Sequence, residues 1–299
     1  MTHGKPRLLV FGAGIIGSLY ALRFIQSNMD VTVLARGNRL EELRRHGLQY
    51  EEKNSVKSVK INLIETLRDD DIYDFIFVAV RFDQMVSALT AIKDNKSENI
   101  VTLANTVGYD EWAAIVGNRL IPGFPGAGGN IAEGVLHGQF TGKIQGTMFS
   151  EINGEKTERI IKLIQIFNMA GLTYEIPENI KAFHLSHAAF TASIKHFYTA
   201  EGMMDTKTAK SCPVLRKVAV TIKENVRLLE QANIPVLDSK TRAVGKMPAW
   251  LIAVLFWLML SMRFTRSVLL GSHTLVAREE NMQMDKAFRV MAHPNSTRE

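Results

Sequence analysis

At 299 residues, 46% of them apolar, the chain is long enough for two packed domains. A net charge of +6 suits anionic small molecules, but the basic residues are scattered and carry no zinc-finger, helix-turn-helix or aromatic RNA-binding pattern. Nucleic acid is therefore not an expected partner. The single cysteine, Cys212, excludes an intramolecular disulfide and a cysteine-based zinc cluster, and reads as a small packed apolar residue. No leader-like pattern opens the chain, so a cytoplasmic location is expected.

The first element carries the most information. Arg7-Leu-Leu-Val-Phe-Gly12-Ala13-Gly14-Ile15-Ile16-Gly17 reads as a buried strand, a Gly-x-Gly-x-x-Gly turn and the start of an apolar helix over residues 15–27. In a dinucleotide site, Gly12 allows the tight turn, Gly14 lets the backbone approach a pyrophosphate, and Gly17 lets helix and strand pack closely. Ala13, Ile15 and Ile16 complete a loop whose first-turn amides face phosphate oxygens. A glycine-rich hexapeptide also fits an ordinary turn. The strand before, the helix after and a second strand over residues 31–35 favour the nucleotide. That strand ends in Arg36, where an NAD site usually carries an acid for the ribose 2′-hydroxyl. An arginine fork bonds a 2′-phosphate instead, so NADP(H) is the expected cofactor. Arg39 adds positive field; Arg44 and Arg45 do the same or simply solvate the outer face of a helix over residues 39–46.

Strands over residues 75–80 and 100–104, with helices over 82–93 and 110–116, continue the alternation and argue for a parallel sheet covered on both faces. In doubly wound sheets the ligand sits beyond the carboxyl ends of the strands, where Arg81 and Asn105 emerge with the glycine turn. The run Gly123-Phe-Pro-Gly-Ala-Gly-Gly-Asn130 precedes short strands such as 142–149, with His137 and Lys143 as surface residues. A helix over 155–170 and a strand over 172–175 close an α/β, Rossmann-type domain at residues 1–176. Residues 177–299 read as an all-α domain for substrate binding and dimerisation, ending in a polar tail over 294–299. Within it, residues 247–262 carry no charge, and Arg263 and Arg266 follow. The stretch is shorter than a bilayer span. A buried or dimer-forming helix is expected, and a homodimer with it; the alternative is a monotopic membrane contact through its tryptophans.

These motifs together resemble the ketopantoate reductase (2-dehydropantoate 2-reductase) family. The matching pieces are Gly12-x-Gly14-x-x-Gly17, Leu34-Ala-Arg36-Gly, Phe77-Val-Ala-Val-Arg81, Leu103-Ala-Asn105-Thr-Val-Gly108 and Glu133-Gly-Val-Leu-His-Gly138. The resemblance implies a two-domain enzyme that passes hydride from NADPH to the ketone of a 2-oxo acid. It implies that Asn105 lies beside nicotinamide and substrate, that Arg81 stands where the family commonly has a lysine, and that Glu280 matches a glutamate near both ligands.

One segment departs from the family. Its usual proton-donating lysine, and the asparagine four residues later, fall here on His184 or Leu185 and on Ala188 or Ala189, depending on register. Histidine can supply the proton as imidazolium. Helical spacing aligns His184, Thr191 and Lys195, with His187 nearby. His187 or His184 is therefore the expected proton donor, with Arg81 or Lys195 holding a carboxylate; alternatively both histidines pack and Lys195 is solvated. The leading reading is an NADPH-dependent reductase of a 2-oxo acid or other ketone, substrate unassigned. A nucleotide-binding redox sensor without turnover and a membrane-associated reductase of an apolar ketone are the competing readings.

Overall fold

The computed structural model describes residues 4–142, 145–199, 203–262 and 275–292, with side chains from residue 282 onward in the last helix. The chain packs into two units. One comprises the residues up to Ala104 together with Tyr109–Ile180; the other comprises Asn105–Gly108 and the chain from Lys181 on.

The first unit alternates strands and helices: β1 (Arg7–Phe11), α1 (Ile15–Gln26), β2 (Asp30–Leu34), α2 (Gly37–His46), β3 (Leu48–Glu52), β4 (Ser55–Val59), β5 (Asn62–Ile64), β6 (Phe75–Val78), α3 (Phe82–Ala91), β7 (Ile100–Leu103) and α4 (Asp110–Val116). Then come β8 (Leu120–Phe124), β9 (Ala127–Ala132), β10 (Val135–Phe140), β11 (Thr147–Phe149), α5 (Glu158–Met169) and β12 (Tyr174–Glu175). The main sheet has the order β12-β11-β8-β7-β6-β1-β2-β5. From β5 to β8 every pairing is parallel, whereas β11 runs antiparallel to β8. This is the doubly wound α/β architecture expected of continuous apolar strands such as Phe75-Ile-Phe-Val78, every residue of which is buried.

Aromatic rings fill the space between the sheet and its helices. Phe24, Phe77, Phe149 and Phe167 are fully buried in one cluster with Leu8 and Val10. Tyr20 on α1 is buried among them, and its hydroxyl shares a 2.5 Å hydrogen bond with Thr147 Oγ1 while accepting one from the Gly126 amide at 3.2 Å. A buried phenol needs such partners. They fix α1 across the β8–β11 side of the sheet.

A second sheet, of order β4-β3-β10-β9, differs from the sequence expectation, which has no strands over residues 48–59 and only short strands after the glycine-rich run. The reason is physical. Ser55–Val59 is almost wholly exposed, so it lacks an apolar face. β9 carries Gly129 where a Cβ would stand 2.2 Å from the His137 carbonyl oxygen of β10. Glycine here reflects the close approach of neighbouring backbone, a meaning that a propensity reading mistakes for a turn. The expected strand over 142–149 is present as Thr147–Phe149; Lys143 lies outside the described residues.

The second unit is helical: α6 (Ile180–Thr191), a 3₁₀ turn (Ala192–Phe197), α7 (Thr206–Ala209), α8 (Cys212–Gln231), α9 (Ser239–Gly245), α10 (Ala249–Ser261) and α11 (Leu275–Ala292). Phe197, Leu215, Val218, Ile222, Ile252 and Phe256 form its core. Two expectations change here. Cys212 is exposed rather than packed, because it is the first residue of α8 and precedes Pro213. Within residues 247–262 the helix α10 runs from Ala249 to Ser261, and only one face of it is buried among the described residues. Among the described residues no helix is long and apolar enough to cross a membrane.

The tightest junction is at Gly17, where an added Cβ would stand 1.8 Å from the Gly12 carbonyl oxygen and 3.2 Å from Val10 Cγ1. Gly17→Ala should therefore destabilise the protein by about 3 kcal/mol or more through overpacking against backbone. Gly14, with nothing within 4 Å of such an atom, should accept alanine with little change. Urea unfolding of the two variants checks the contrast.

Candidate functional site

In the first unit the site forms at the carboxyl edge of the parallel strands. The Gly12 amide donates to the Leu34 carbonyl at 3.0 Å, and the Ala79 amide donates to the Phe11 carbonyl at 2.9 Å, so the ends of β2 and β6 flank the end of β1. Gly12 has φ of 105°, and a Cβ there would meet the Ala79 carbonyl oxygen at 2.6 Å. Both the positive φ and the closeness of Ala79 require glycine at position 12. Ala13 is buried, and Ile15 and Ile16 pack on the core. Gly14 is different: it caps α1 in an extended conformation, and the space beside it is open. Helix α1 starts with no side-chain cap and no acid in its first turn, so that turn is electrostatically ready for an anion.

The arginines on and around this edge do separate things. Arg36 caps α2 from the end of β2, is exposed, and lies over the Phe11 ring at 5.6 Å. Arg39 turns inward: its Nε donates to the Ala13 carbonyl at 3.2 Å and its Nη1 pairs with Glu42, so it props the glycine loop. Arg44 pairs with Glu41 on the outer face of α2, as a solvated residue does. Arg81 caps α3 and closes its fork on Asp83, at 2.9 and 2.8 Å. That fork holds the Asp83 carboxyl below its usual range. Asp83, two residues from Arg81 in the first turn of a helix, is a partner that sequence spacing could have suggested. A nicotinamide dinucleotide fits the residues present: Gly14 leaves open exactly the room a Cβ would fill, α1 starts uncapped, and Arg36 is available at the strand end.

The remaining candidates belong to the second unit. Asn105 is exposed and groups with it, next to the Thr106 turn in which the hydroxyl bonds the Gly108 carbonyl at 2.5 Å. Glu280 is on α11, but its side chain lies outside the described residues. On α6, His184 is buried at 1% exposure. Burial, reinforced by His187, lowers its pKa to about 3, so the ring stays neutral near pH 7 and is not an imidazolium donor. His187 keeps 19% side-chain exposure and places Nδ1 3.7 Å from Asp238 Oδ2. Asp238 is itself buried. Burial pushes its carboxyl up, but the adjacent His187 ring and hydrogen bonds from Thr241 and the Lys240 amide outweigh this and hold the pKa at about 2. Lys195 is paired with Asp285 at 2.6 Å and so is not a solvated lysine. Neither Asp238 nor Asp285 is a sequence candidate; nothing local in the chain signals their partners. The two positions that would carry the family's lysine and asparagine in one register, Leu185 and Ala189, are buried apolar residues. His137 pairs with Glu51 on the surface at 2.6 Å. Among the described residues no cluster of three metal-binding side chains occurs.

Residues 8–149 match the family description "Ketopantoate reductase PanE/ApbA". A 2-dehydropantoate 2-reductase of Pyrococcus horikoshii is 28% identical over 177 residues, 58% of this chain and 57% of that protein. The match thus spans little more than half of that relative's length. The 2-dehydropantoate 2-reductase structure from Geobacter metallireducens GS-15 superposes with a TM-score of 0.66 at 15% identity, covering 96% of this chain and 97% of that one. A D-mandelate dehydrogenase solved with NADH and anilino(oxo)acetate gives 0.65 at 13% identity, covering 96% and 98%.

The buried neutral His184 has a stability consequence. Between pH 6.5 and about 3 the unfolded chain binds a proton there that the native chain does not. Stability is fully present above that window and falls as pH drops through it, by about 1.4 kcal/mol per pH unit. His184→Phe should remove one proton's worth of this slope in urea unfolding measured between about pH 6 and pH 4. An unchanged slope would place the ring in contact with solvent.

Proposed function

We propose, from the match of residues 8–149 to the ketopantoate reductase family, that the chain is an NADPH-dependent reductase converting the ketone of a small 2-oxo acid to a 2-hydroxy acid. The observation that carries this reading is the open space at Gly14, at an uncapped helix start, with an available Arg36 at the end of β2. A bound reduced nicotinamide supplies the hydride. The chain's own residues do the rest. First-turn amides of α1 hold the pyrophosphate, and Gly14 admits it. Arg36 bonds the 2′-phosphate, where an acidic residue would repel it. Asn105 and Glu280 orient the nicotinamide end and the substrate, and Arg81 serves the cofactor or the substrate carboxylate once its fork is released from Asp83.

The proton for the developing alkoxide comes from His187. Its Nδ1 lies 3.7 Å from the buried Asp238 carboxylate, which orients the ring, and its Nε2 is the donating atom. His184 is neutral, and Lys195 is held by Asp285. A second reading, a nucleotide-binding sensor without turnover, is favoured by one observation: Leu185, Ala188 and Ala189 are all buried and apolar where the family's donor and orienting amide would stand. NADPH oxidation over a panel of 2-oxo acids separates the two, since a sensor binds NADPH and consumes none.

Two substitutions test the assignments. Arg36→Ala should weaken NADPH binding by about 1.5–3 kcal/mol, the scale of a charge-assisted contact, and leave NADH nearly unaffected. Equal losses for both nucleotides in calorimetric titration would contradict the 2′-phosphate assignment. His187→Gln should lower kcat by about 10²–10⁴-fold with NADPH affinity unchanged. Wild-type turnover in that variant removes His187 as the donor.

A further inference from the structure

Helix α10 has two apolar faces, and among the described residues only one of them is covered. Ile252, Phe256 and Leu260, spaced four apart, are buried in the core of the helical unit. Trp250, Val254, Trp257 and Leu258 recur at helical spacing on the other side and are 68%, 45%, 47% and 48% exposed. Between residues 249 and 262 no charged side chain interrupts them. Contiguous exposed apolar surface of this kind marks a contact with another phase or partner.

The surrounding charge identifies the partner. At the C-terminal end of α10, Lys210 Nζ lies 4.2 Å from the Trp257 ring centre and donates to Ser261 Oγ at 2.7 Å. At the N-terminal end, Lys223 Nζ donates to the Met247 carbonyl at 2.9 Å, and exposed Lys246 precedes the helix. Over residues 205–224, Lys207, Lys210, Arg216, Lys217 and Lys223 outnumber two acids, Asp205 and Glu224. A second copy packed on this face would set cation against cation whichever way the two helices ran, because both ends are basic. An anionic lipid surface accepts the same features without conflict: indole rings settle at headgroup depth, and lysines reach the phosphates. At about 1.5 Å per residue the helix is too short to cross and would lie flat.

We propose that α10 is a monotopic contact that lays the helical unit on an anionic bilayer, with Trp250 and Trp257 at headgroup depth and Lys210 and Lys246 at the rim. This contact is independent of whether the nucleotide-binding unit turns over.

The test uses the full chain, sedimented with vesicles of phosphatidylcholine alone or of equal parts phosphatidylcholine and phosphatidylglycerol, at low ionic strength. Wild-type protein should partition about tenfold or more in favour of the anionic vesicles. Its tryptophan emission should shift to the blue and be quenched by brominated lipid. Of the three tryptophans, Trp112 is already buried, so the shift reports Trp250 and Trp257. Trp250→Glu/Trp257→Glu and Lys210→Glu/Lys246→Glu should each lose the binding while their circular dichroism melts stay as in wild type. If the tryptophan variant fails to fold, the lysine variant and the brominated-lipid quenching of wild type decide alone. The proposal is overturned if wild type stays in the supernatant with both vesicles. It is overturned equally if the tryptophan variant still binds, which would make the attraction one of net charge alone. A wild-type dimer that the tryptophan variant converts to monomers, with no vesicle binding, would give the face to a second copy instead.

Discussion

The whole α/β half depends on how closely two stretches of backbone approach. The Gly12 carbonyl and the Gly17 Cα leave no room for a methyl group between them, which seats the start of α1 directly against the end of β1. That contact aims the first-turn amides of the helix into the space beside Gly14. Flanking strands make the arrangement rigid, since β2 and β6 hydrogen-bond on either side of β1 and the Tyr20 hydroxyl ties α1 to Thr147 and Gly126. Arg39 adds a brace from α2 to the Ala13 carbonyl. A site built in this way is organised before any ligand arrives, which is what tight anion binding by backbone amides requires.

The helical unit solves a different problem, that of ionised groups away from water. Asp238 and Asp285 are both largely buried, and each has a basic neighbour from the α6 region, His187 for one and Lys195 for the other. Asp285 has Arg289 as a second cation and Asp238 accepts further hydrogen bonds from Thr241 and the Lys240 amide, so each carboxylate is compensated from more than one side. These pairs therefore bear on the stability of the helical unit. His187 is set apart from His184 by its acidic neighbour and its partial exposure, whereas His184 is confined to a neutral packing role by burial.

What could be read from the residues alone follows a clear physical division. The glycine loop and Arg36 are local features: three glycines at fixed spacing between a buried strand and an apolar helix, and one guanidinium at the next strand end. The strands of the parallel sheet are equally legible because they are buried on both faces and read as unbroken apolar runs. The small second sheet is not, because Ser55–Val59 has hardly any buried face and β9 is rich in glycine that serves backbone packing. The pairing of Lys195 with Asp285 spans 90 residues and has no local signature. Which of the two neighbouring histidines is buried was not legible either, since α6 carries apolar residues around most of its circumference and its sequence does not single out one inward face.

The central claim is that a nicotinamide dinucleotide rests on the open side of Gly14. Calorimetric titration of NADPH into the wild-type protein and into Gly14→Val tests it most directly, because the position can take a side chain without disturbing its neighbours. The account predicts saturable binding by the wild type and none by the variant, with the two melting temperatures alike. Equal NADPH affinity in both proteins, or no heat from the wild type, would contradict it.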